Sequence, residues 1–236
     1  MLSVFGKYLD VDLTASAITE FAIPKEWQER FVGGKGIAAR ILLDELPAKV
    51  DPFGPENILV FATGPFQGTG IVGGGRHAVL AVSPKTGYVA DSYVGGYFGA
   101  ELGRSGYDGV LLRGISDAPA VLTLIDGEAQ LVPAAELWGK GTGQTEETLK
   151  ERFPGSRVAS IGIAGEKLVS QSCIINDRNR SAGRPGLGAV MGSKKLKAIV
   201  VRGTQEKDLH DAARFADERA AYLKGFVEDE GFQRFG

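Results

Sequence analysis

The chain begins with alternating apolar and polar residues. YLDVDL and ITEFAI alternate on either side of the turn TASA, which predicts a β-hairpin over residues 8–23. A second hairpin is predicted over 119–133, because Asp126-Gly127 is a strong two-residue turn signal. Apolar runs predict the remaining strands, at 58–62, 77–83, 108–114, 157–163, 168–175 and 196–203.

Apolar residues at helical spacing predict the helices between these strands. The longest, 25–46, carries a cluster of glycines in its middle, where we expect a break or a close packing contact. The helix at 142–153 has Thr142 or Thr145 as its expected N-cap. Further helices are predicted at 95–105, 187–193 and 211–230.

The two halves of the chain repeat one order of elements: a hairpin, a helix, a buried strand, a glycine-rich loop and a strand. The match is topological more than residue by residue, and internal duplication is one interpretation of it. We predict an α+β fold with two related β-sheet subdomains, at about 1–105 and 106–205, and flanking helices. Duplication would put one glycine- and arginine-rich loop in each half, with a ligand on the pseudosymmetric face between them.

Charge and composition narrow the classes of function. Lysine and arginine number 27 against 29 acidic residues, and a formal net charge of −2 creates no global field that attracts nucleic acid or an anionic membrane. No apolar run reaches the roughly 20 residues that cross a bilayer, and the first residues lack the pattern of a signal peptide. A single cysteine, Cys173, forms no internal disulfide and holds no zinc or iron–sulfur site alone. We therefore expect a cytoplasmic protein that binds neither nucleic acid nor membrane.

Glycine departs furthest from its usual frequency, at 34 of 236 residues, about 14% against a usual ~7%. One cluster, GTGIVGGGR (68–76), exposes backbone N–H groups and ends on Arg76, whose guanidinium can grip a phosphate. A dinucleotide-binding site would need a helix directly after the glycines, whereas a strand is predicted there, so that interpretation fails. The plain alternative is a hairpin loop with a surface arginine.

Arginines are concentrated in the predicted polar loop 176–186. Arg178, Arg180 and Arg184 alternate with small residues just before a short helix, whose first N–H groups favour anions. This pattern suits a multiply phosphorylated ligand. The alternative is a solvated basic turn, against which the flanking glycines and the apolar helix weigh.

A third segment, DSYVGGYFGAELGRSGYDG (91–109), combines glycines with aromatic residues. Gly95 and Gly96 allow a close approach of the backbone, while Tyr93 and Tyr97 supply flat apolar surface. A glycine-broken helix packed on a sheet explains the same pattern equally well.

Catalytic groups are scarce. His77 heads an apolar strand and is expected in the core or at an edge, and His210 begins a charged helix and is expected in solvent. Cys173 lies in an apolar run, where a core position is the ordinary explanation. We predict no catalytic residue in this chain.

Six motifs, in this order, resemble the N-terminal domain of the aldehyde ferredoxin oxidoreductase family, the tungsten or molybdenum enzymes with a bis-pterin cofactor. They are ENILVFATGPFQGTG, GGGRHAVLAVSPKTG, GGYFGAELGRSGYDG, LWGKGT, ASIGIAGEKLV and NRSAGRPGLGAVMGSKKLKAIVVRG. The resemblance runs from about Phe5 to the end of the chain. It implies that 1–205 is a pterin-binding domain, whose two sheets form a base for the cofactor, and that 206–236 is the helical start of a following domain.

The resemblance also implies which residues bind the cofactor, namely Arg76, Tyr93, Gly95, Arg180, Ser181 and Gly183. Arg76 would lie between a pterin and a [4Fe–4S] cluster. The backbone carbonyls of Tyr93 and Ser181 would bind a magnesium ion that bridges the two pterin phosphates. Tyr93 stands where the family has a small amide residue, a change that a backbone ligand tolerates.

The activity implied by the resemblance is the oxidation of an aldehyde to a carboxylate, with electrons passing through the cluster to ferredoxin or another electron-transfer protein. The cluster ligands would lie in C-terminal domains or in a split-gene subunit. We therefore expect the isolated chain to be inactive, to hold none of these cofactors and to form a homo-oligomer. The alternatives are a non-catalytic pterin-phosphate-binding or scaffold module, a related reductase acting on another substrate, and a nicotinamide-dependent dehydrogenase.

Overall fold

The computed structural model describes residues 3–235, which form two six-stranded mixed sheets with helices packed on them. The strands of the first sheet are β1 (Lys7–Asp12), β2 (Ala17–Ala22), β3 (Leu59–Ala62), β4 (His77–Val82), β5 (Val89–Val94) and β6 (Gly109–Arg113). Those of the second are β7 (Ala120–Ile125), β8 (Glu128–Pro133), β9 (Arg157–Ser160), β10 (Ile174–Asn176), β11 (Arg180–Ala182) and β12 (Leu196–Arg202).

Among the described residues, six α-helices lie between these strands and two follow the last strand. They are α1 (Lys25–Phe31), α2 (Lys35–Glu45), α3 (Phe98–Leu102), α4 (Thr142–Arg152), α5 (Ile163–Glu166), α6 (Leu187–Ser193), α7 (Ala212–Glu228) and α8 (Glu230–Phe235). Within residues 3–235, none of these helices combines the length and the apolar character that crossing a lipid bilayer requires.

The two sheets share one topology. The first has the order β2-β1-β6-β3-β4-β5 and the second the order β8-β7-β12-β9-β10-β11, so each strand corresponds to the strand six later in the chain. In each sheet the only parallel pair among the described strands is the equivalent one, β1 with β6 and β7 with β12. This confirms the predicted α+β fold with two related sheets. Because β6 belongs to the first sheet, the sheets divide between Arg113 and Ala120 rather than at 105; the division into domains itself stays a prediction.

The inner faces of the two sheets pack on each other. Alternate residues such as Leu9 and Val11 of β1 and Ile199 and Val201 of β12 belong to one buried cluster that includes side chains from both sheets. Helix α3 of the first half contacts β9 and β12 of the second, while α6 of the second half contacts β3 and β4 of the first. Each half therefore places a helix against the sheet of the other. The outer faces are covered separately, by α2 on the first sheet and by α4 on the second.

Both predicted hairpins form, as β1–β2 and β7–β8. The long predicted helix breaks into α1 and α2 at its glycine cluster, where Gly34 adopts a φ of 53° that is incompatible with a continuing helix. The predicted N-caps Thr142 and Thr145 are wrong. Gly141 is the N-cap, and the Thr145 hydroxyl instead donates a hydrogen bond to the Gly141 carbonyl.

The predicted strand at 168–175 is wrong over most of its length. The chain forms α5 and turns up to residue 173, and β10 begins only at Ile174. Leu168 and Val169, which suggested a buried strand, are 38% and 48% exposed. The predicted loop at 176–186 contains the strand β11.

The hydrophobic pattern of the sequence does not predict strand β5, and the position of this strand in the sheet explains why. Strand β5 lies at the edge of the first sheet, and only Val94 of its six residues is buried. Such a strand lacks the regular alternation that marks a half-buried one. The predicted helix at 95–105 shrinks to α3, and the one at 211–230 begins at Ala212, with the Asp211 side chain as its N-cap.

A buried ion pair joins the second sheet to the segment that contains LWGKGT. The side chains of Lys197 on β12 and Glu166 on α5 are 0% and 3% exposed, and they contact each other directly. The Lys197 ammonium also donates to the Lys140 carbonyl at 2.7 Å, and Glu166 accepts from the Gly139 N–H at 2.8 Å. Because a buried charge without its partner is costly, these bonds hold α5 and the loop before α4 in a fixed place on the sheet.

The segment after β12 is attached to the first sheet by a second buried pair. The Lys207 ammonium lies 3.8 Å from the Asp108 carboxylate and donates to the Gly64 carbonyl. Asp108 also accepts hydrogen bonds from the backbone N–H groups of Phe5 and Gly6. Burial raises the pKa of Asp108 and lowers the pKa of Lys207. The chain therefore stays packed on the first sheet as far as Lys207.

His77 is buried at the start of β4, at the end of the strand that faces α3. Its ring centroid lies 5.0 Å from that of Phe98 and 6.2 Å from that of Phe61. Among the described residues, neither ring nitrogen has a hydrogen-bond partner. Burial lowers the pKa of His77 from 6.5 to about 3, against a smaller opposing effect of Asp177. The imidazole is therefore neutral near pH 7, and its expected place in the core is confirmed.

We expect the free energy of unfolding to fall as the pH is lowered from 7 to 5. The unfolded chain binds a proton at His77 below pH 6.5, whereas the folded chain binds it only near pH 3. The stabilising contribution of neutral His77 is therefore fully present above pH 6.5. Below pH 6.5 this contribution falls by at most about 1.4 kcal/mol per pH unit. His77→Leu should flatten this slope in urea unfolding at pH 7, 6 and 5, and the exposed His210→Leu should leave it unchanged. An equal slope in wild type and His77→Leu would contradict the assignment.

Candidate functional site

The edges of the two sheets meet where the equivalent strands β5 and β11 lie side by side. We call this junction the seam. Tyr93 on β5 is paired with Ala78 on β4, and Ser181 on β11 is paired with Ile175 on β10. The paired residues Ala78 and Ile175 are each the second residue of the first strand of their hairpin, β4 or β10. Tyr93 and Ser181 therefore occupy the same register position in the two halves.

The two glycines predicted to contact the cofactor are equivalent in the same way. Gly95 lies two residues after Tyr93, and Gly183 lies two residues after Ser181, each just beyond its strand. A Cβ atom built on Gly95 would meet no atom within 4 Å, so the backbone there borders open space. The structure thus brings Tyr93, Gly95, Ser181 and Gly183 to the two sides of one seam.

The loop that carries Arg76 packs against the turn after β5. A Cβ atom on Gly75 would lie 3.1 Å from the Gly96 carbonyl oxygen, and one on Gly99 would lie 2.8 Å from the Gly75 carbonyl oxygen. The Arg76 carbonyl accepts a hydrogen bond from the Gln67 side chain, which holds the end of the loop. A side chain at Gly75 or Gly99 would crowd this contact, so glycine at these two positions lets the two loops approach closely.

Arg180 reaches the same turn from the second sheet. Its Cγ would lie 3.1 Å from a Cβ atom built on Gly96. The turn at Gly95–Gly96 is therefore flanked by the Arg76 loop on one side and by Arg180 on the other. Three separate glycine-rich segments of the sequence form one continuous surface.

The arginines at this surface have no acidic partner. Among the described residues, no carboxylate lies within ion-pair distance of Arg76, Arg180 or Arg184, and all three side chains are exposed. Arg178, in the turn just before β11, is instead paired with Glu147 at 3.2 Å. Unpaired guanidinium groups beside open backbone form a surface suited to phosphate oxygens.

A cavity of about 400 Å³ opens next to Gly183. It is lined by Lys85, Ser170, Gln171, Gly183, Arg184, Pro185 and Gly186. Lys85 comes from the turn between β4 and β5, and the other residues come from the second half, so the cavity also spans the seam. Its two cations have no ion-pair partner among the described residues, so their charge is available to an anionic ligand.

Sequence reasoning missed Asn176, the last residue of β10, and Asp177, the first residue of the turn to β11. The Asp177 carboxylate accepts hydrogen bonds from the backbone N–H groups of Tyr97 and Phe98, at 2.7 and 3.2 Å. The Asn176 amide donates to the Gly95 carbonyl at 3.0 Å. The available signal was the Asn-Asp pair itself, because these residues tolerate the left-handed backbone of a tight turn, and Asp177 has a φ of 47°.

The described residues contain no cluster of side chains suited to a metal ion. Across residues 3–235, no three His, Cys, Asp or Glu side chains are arranged to hold a metal ion. His77 is buried, His210 is exposed as expected, and Cys173 is partly buried, with its sulfur 3.5 Å from the Gly183 carbonyl oxygen. The chemistry available at the seam is therefore the binding of anionic and polar groups by guanidinium and backbone.

Several known proteins are similar to this chain in sequence. Residues 8–203 match the family described as aldehyde ferredoxin oxidoreductase, N-terminal domain. The tungsten-containing aldehyde ferredoxin oxidoreductase of Pyrococcus abyssi is 44% identical over 219 residues, which are 92% of this chain and 36% of that protein. The WOR-like subunit of an aliphatic sulfonate oxidoreductase from Pyrococcus furiosus is 34% identical, over 86% of this chain and 35% of that subunit.

A solved structure is similar over almost the whole chain. It is the active site complex BamBC of benzoyl coenzyme A reductase with 1,5-dienoyl-CoA, with a TM-score of 0.93 and 38% sequence identity over 97% of this chain and 35% of that one. The chain thus spans about a third of the length of the relatives that it matches. The shared fold, the order of the motifs and the matched residues show that this chain belongs to the aldehyde ferredoxin oxidoreductase family, as an N-terminal domain of that family.

Proposed function

We propose that this chain binds the pterin cofactor of a tungsten or molybdenum oxidoreductase and holds it at the seam. The observation that carries this proposal is the equivalence of Tyr93 with Ser181 and of Gly95 with Gly183, in register, across two sheets of one topology. A cofactor made of two like pterins joined through their phosphates has the same approximate twofold symmetry. A pseudosymmetric protein surface can therefore contact both halves of such a cofactor alike.

The residues at the seam fit the proposed ligand. Arg76 and Arg180 have no acidic partner among the described residues, so their guanidinium groups are free to bind phosphate or pterin oxygens. Gly95 borders open space, which leaves room for a flat ring against the backbone. We assign magnesium binding to the backbone carbonyls of Tyr93 and Ser181, because hard cations prefer oxygen ligands and these two residues hold equivalent positions on the neighbouring edge strands β5 and β11.

When bound, the cofactor would supply two-electron redox chemistry, by which an aldehyde and water give a carboxylate, three protons and two electrons. The electrons would pass through a [4Fe–4S] cluster to ferredoxin or a similar carrier. This chain's share is to bind the cofactor and fix its orientation. The cluster ligands and acid–base groups would come from other domains or from another subunit, so we propose that the chain alone is inactive.

A related reductase is the second candidate. It is favoured by the structural match to a chain of the BamBC complex, at 38% identity and a TM-score of 0.93. The proposed binding role is the same in both cases, because the seam would hold the cofactor and not the substrate. Assays of the assembled enzyme with an aldehyde, an alkyl sulfonate and an aromatic coenzyme A thioester would separate the candidates.

Metal analysis tests the proposed function directly. We expect tungsten or molybdenum, with about four irons for one [4Fe–4S] cluster, in the protein purified together with whatever follows it in its reading frame or operon. The lone chain should carry neither metal. An assembled protein that contains iron but neither tungsten nor molybdenum would contradict the proposal and favour the scaffold alternative.

Arg76→Ala and Arg180→Ala should each weaken retention of the cofactor in the assembled protein. Loss of a hydrogen bond to a charged group costs about 1.5–3 kcal/mol, which is roughly a 10- to 150-fold loss of affinity. Arg178→Ala is the matched control, because that arginine lies two residues before Arg180 but is paired with Glu147. Tungsten or molybdenum content equal in all three variants and the wild type would exclude the assignment of Arg76 and Arg180.

Gly95→Ala should reduce metal content without unfolding the protein. The added methyl group meets no atom within 4 Å, and Gly95 does not adopt a positive φ, so the fold accepts alanine. The methyl group would occupy space proposed for the pterin. Gly143→Ala, at an equally open position on α4, is the control for which metal content should not change. Thermal unfolding of both variants would check that the fold is intact, and full metal content in Gly95→Ala would refute the proposed contact.

A further inference from the structure

The two hairpins at the seam hold each other's loops. The turn of the β10–β11 hairpin, which contains Asn176 and Asp177, bonds to residues 95–98, the loop that follows β5. The turn of the β4–β5 hairpin begins at Ser83, whose hydroxyl donates at 2.8 Å to the carbonyl of Pro185, in the loop that follows β11. The contacts are therefore reciprocal: each hairpin turn bonds to the loop that continues from the other hairpin.

The contact made by Asp177 is built into the fold. One carboxylate oxygen accepts from the N–H groups of Tyr97 and Phe98 and from the Asn176 amide. The side chain of Asp177 is only 11% exposed, and Arg157 lies 3.6 Å from its other oxygen. Because charged hydrogen bonds are about twice as strong as neutral ones, this oxygen fixes the backbone at the start of α3.

Glycine makes room for this carboxylate. Gly96 has a φ of +93°, and a Cβ atom there would collide with the Asp177 oxygen and crowd the Asn176 amide and the Arg180 side chain. Both the conformation and the space therefore require glycine at this position. The adjacent Gly95, by contrast, borders open space, although its carbonyl is held by Asn176. Asn176 and Asp177 thus form hydrogen bonds on the buried side of the turn and leave its other side open to a ligand.

The reciprocal contact at Ser83 is simpler. Ser83 is fully buried, and its hydroxyl accepts hydrogen bonds from the N–H groups of Lys85 and Thr86 while donating to Pro185. These hydrogen bonds close the β4–β5 turn and attach it to the loop that follows β11. This loop contains Gly183 and lines the 400 Å³ cavity.

We infer that Asn176, Asp177 and Ser83 are positioning residues, which fix the two cofactor loops before the cofactor binds. This inference rests on the proposed function, since the loops are those assigned to the pterins. None of the three side chains needs to touch the cofactor. They act by fixing the distance between the equivalent segments 93–95 and 181–183. A ligand that contacts both halves must match this distance. A loop fixed in advance loses less conformational freedom when the ligand binds, which raises affinity.

Asp177→Ala and Asp177→Asn test this inference as a pair. An asparagine oxygen can still accept from the Tyr97 and Phe98 N–H groups, whereas alanine cannot. We expect Asp177→Ala to speed hydrogen exchange of these two amides in the metal-free protein by about tenfold or more, and Asp177→Asn to restore most of the protection. Metal content of the assembled protein should follow the same order, with Ser83→Ala also below wild type.

Asp126→Ala is the matched control. Asp126 lies in a hairpin turn of the same sheet, also with a positive φ, but it is paired with Arg202 away from the seam. It should change neither the exchange of Tyr97 and Phe98 nor the metal content.

Three results would overturn the inference. Unchanged amide exchange in Asp177→Ala would show that the carboxylate does not order the loop. Faster exchange with full metal content would show that the contact is structural only. Loss of metal in Asp177→Asn as severe as in Asp177→Ala, with its amide protection restored, would show that charge and not position matters. A wild-type protein without tungsten or molybdenum would refute the proposed function instead, and the exchange comparison in metal-free protein would then still decide whether the contact orders the loop.

Discussion

The two sheets of this chain bury their inner faces against each other, and the rest of the structure depends on that contact. Helices α3 and α6 lie in this shared core, where each contacts the sheet of the other half and also packs on its own. The buried side chains of both sheets form one cluster, whose removal from water is the main favourable term in folding. Neither half could bury its inner face alone, so the two halves fold as one unit.

This arrangement determines what happens at the sheet edges. With the two sheets face to face and equivalent in topology, the edge strands β5 and β11 become neighbours, and the loops after them lie close together. Backbone at this junction comes too close for side chains at Gly75, Gly96 and Gly99. Glycine at these three positions therefore follows from the close approach of the loops.

Charge at the seam is divided between two roles. Asp177 lies on the buried side, where its carboxylate bonds to backbone N–H groups and faces Arg157. Arg76, Arg180 and Arg184 lie on the open side and have no acidic partner among the described residues. Acidic groups that hold the loops are thereby kept away from the surface where an anionic ligand would bind, so that surface keeps a positive potential within a chain whose net charge is −2.

The sequence by itself determined the features that depend on local pattern. The two hairpins follow from alternation and from Asp126-Gly127, the helix break follows from the glycines near Gly34, and the repeated order of elements predicts two related sheets. Resemblance to a known family predicts which loops bind the cofactor, and these are also the loops where glycines and arginines cluster. These features can be predicted from the sequence because the spacing of apolar residues and the preference for a turn depend on only a few neighbouring residues.

Tertiary structure alone decided which loops meet. Strands β5 and β11 sit at edges with few buried side chains, so no periodicity marks them, and the apolar run at 168–175 is mostly exposed turn. The bonds from Asp177 to Tyr97 and from Ser83 to Pro185 join residues about 80 and 100 positions apart. Such pairings depend on how two sheets pack, which is a long-range property that no local pattern encodes. The same packing leaves the His77 ring nitrogens without a hydrogen-bond partner and Arg180 without an ion-pair partner among residues 3–235.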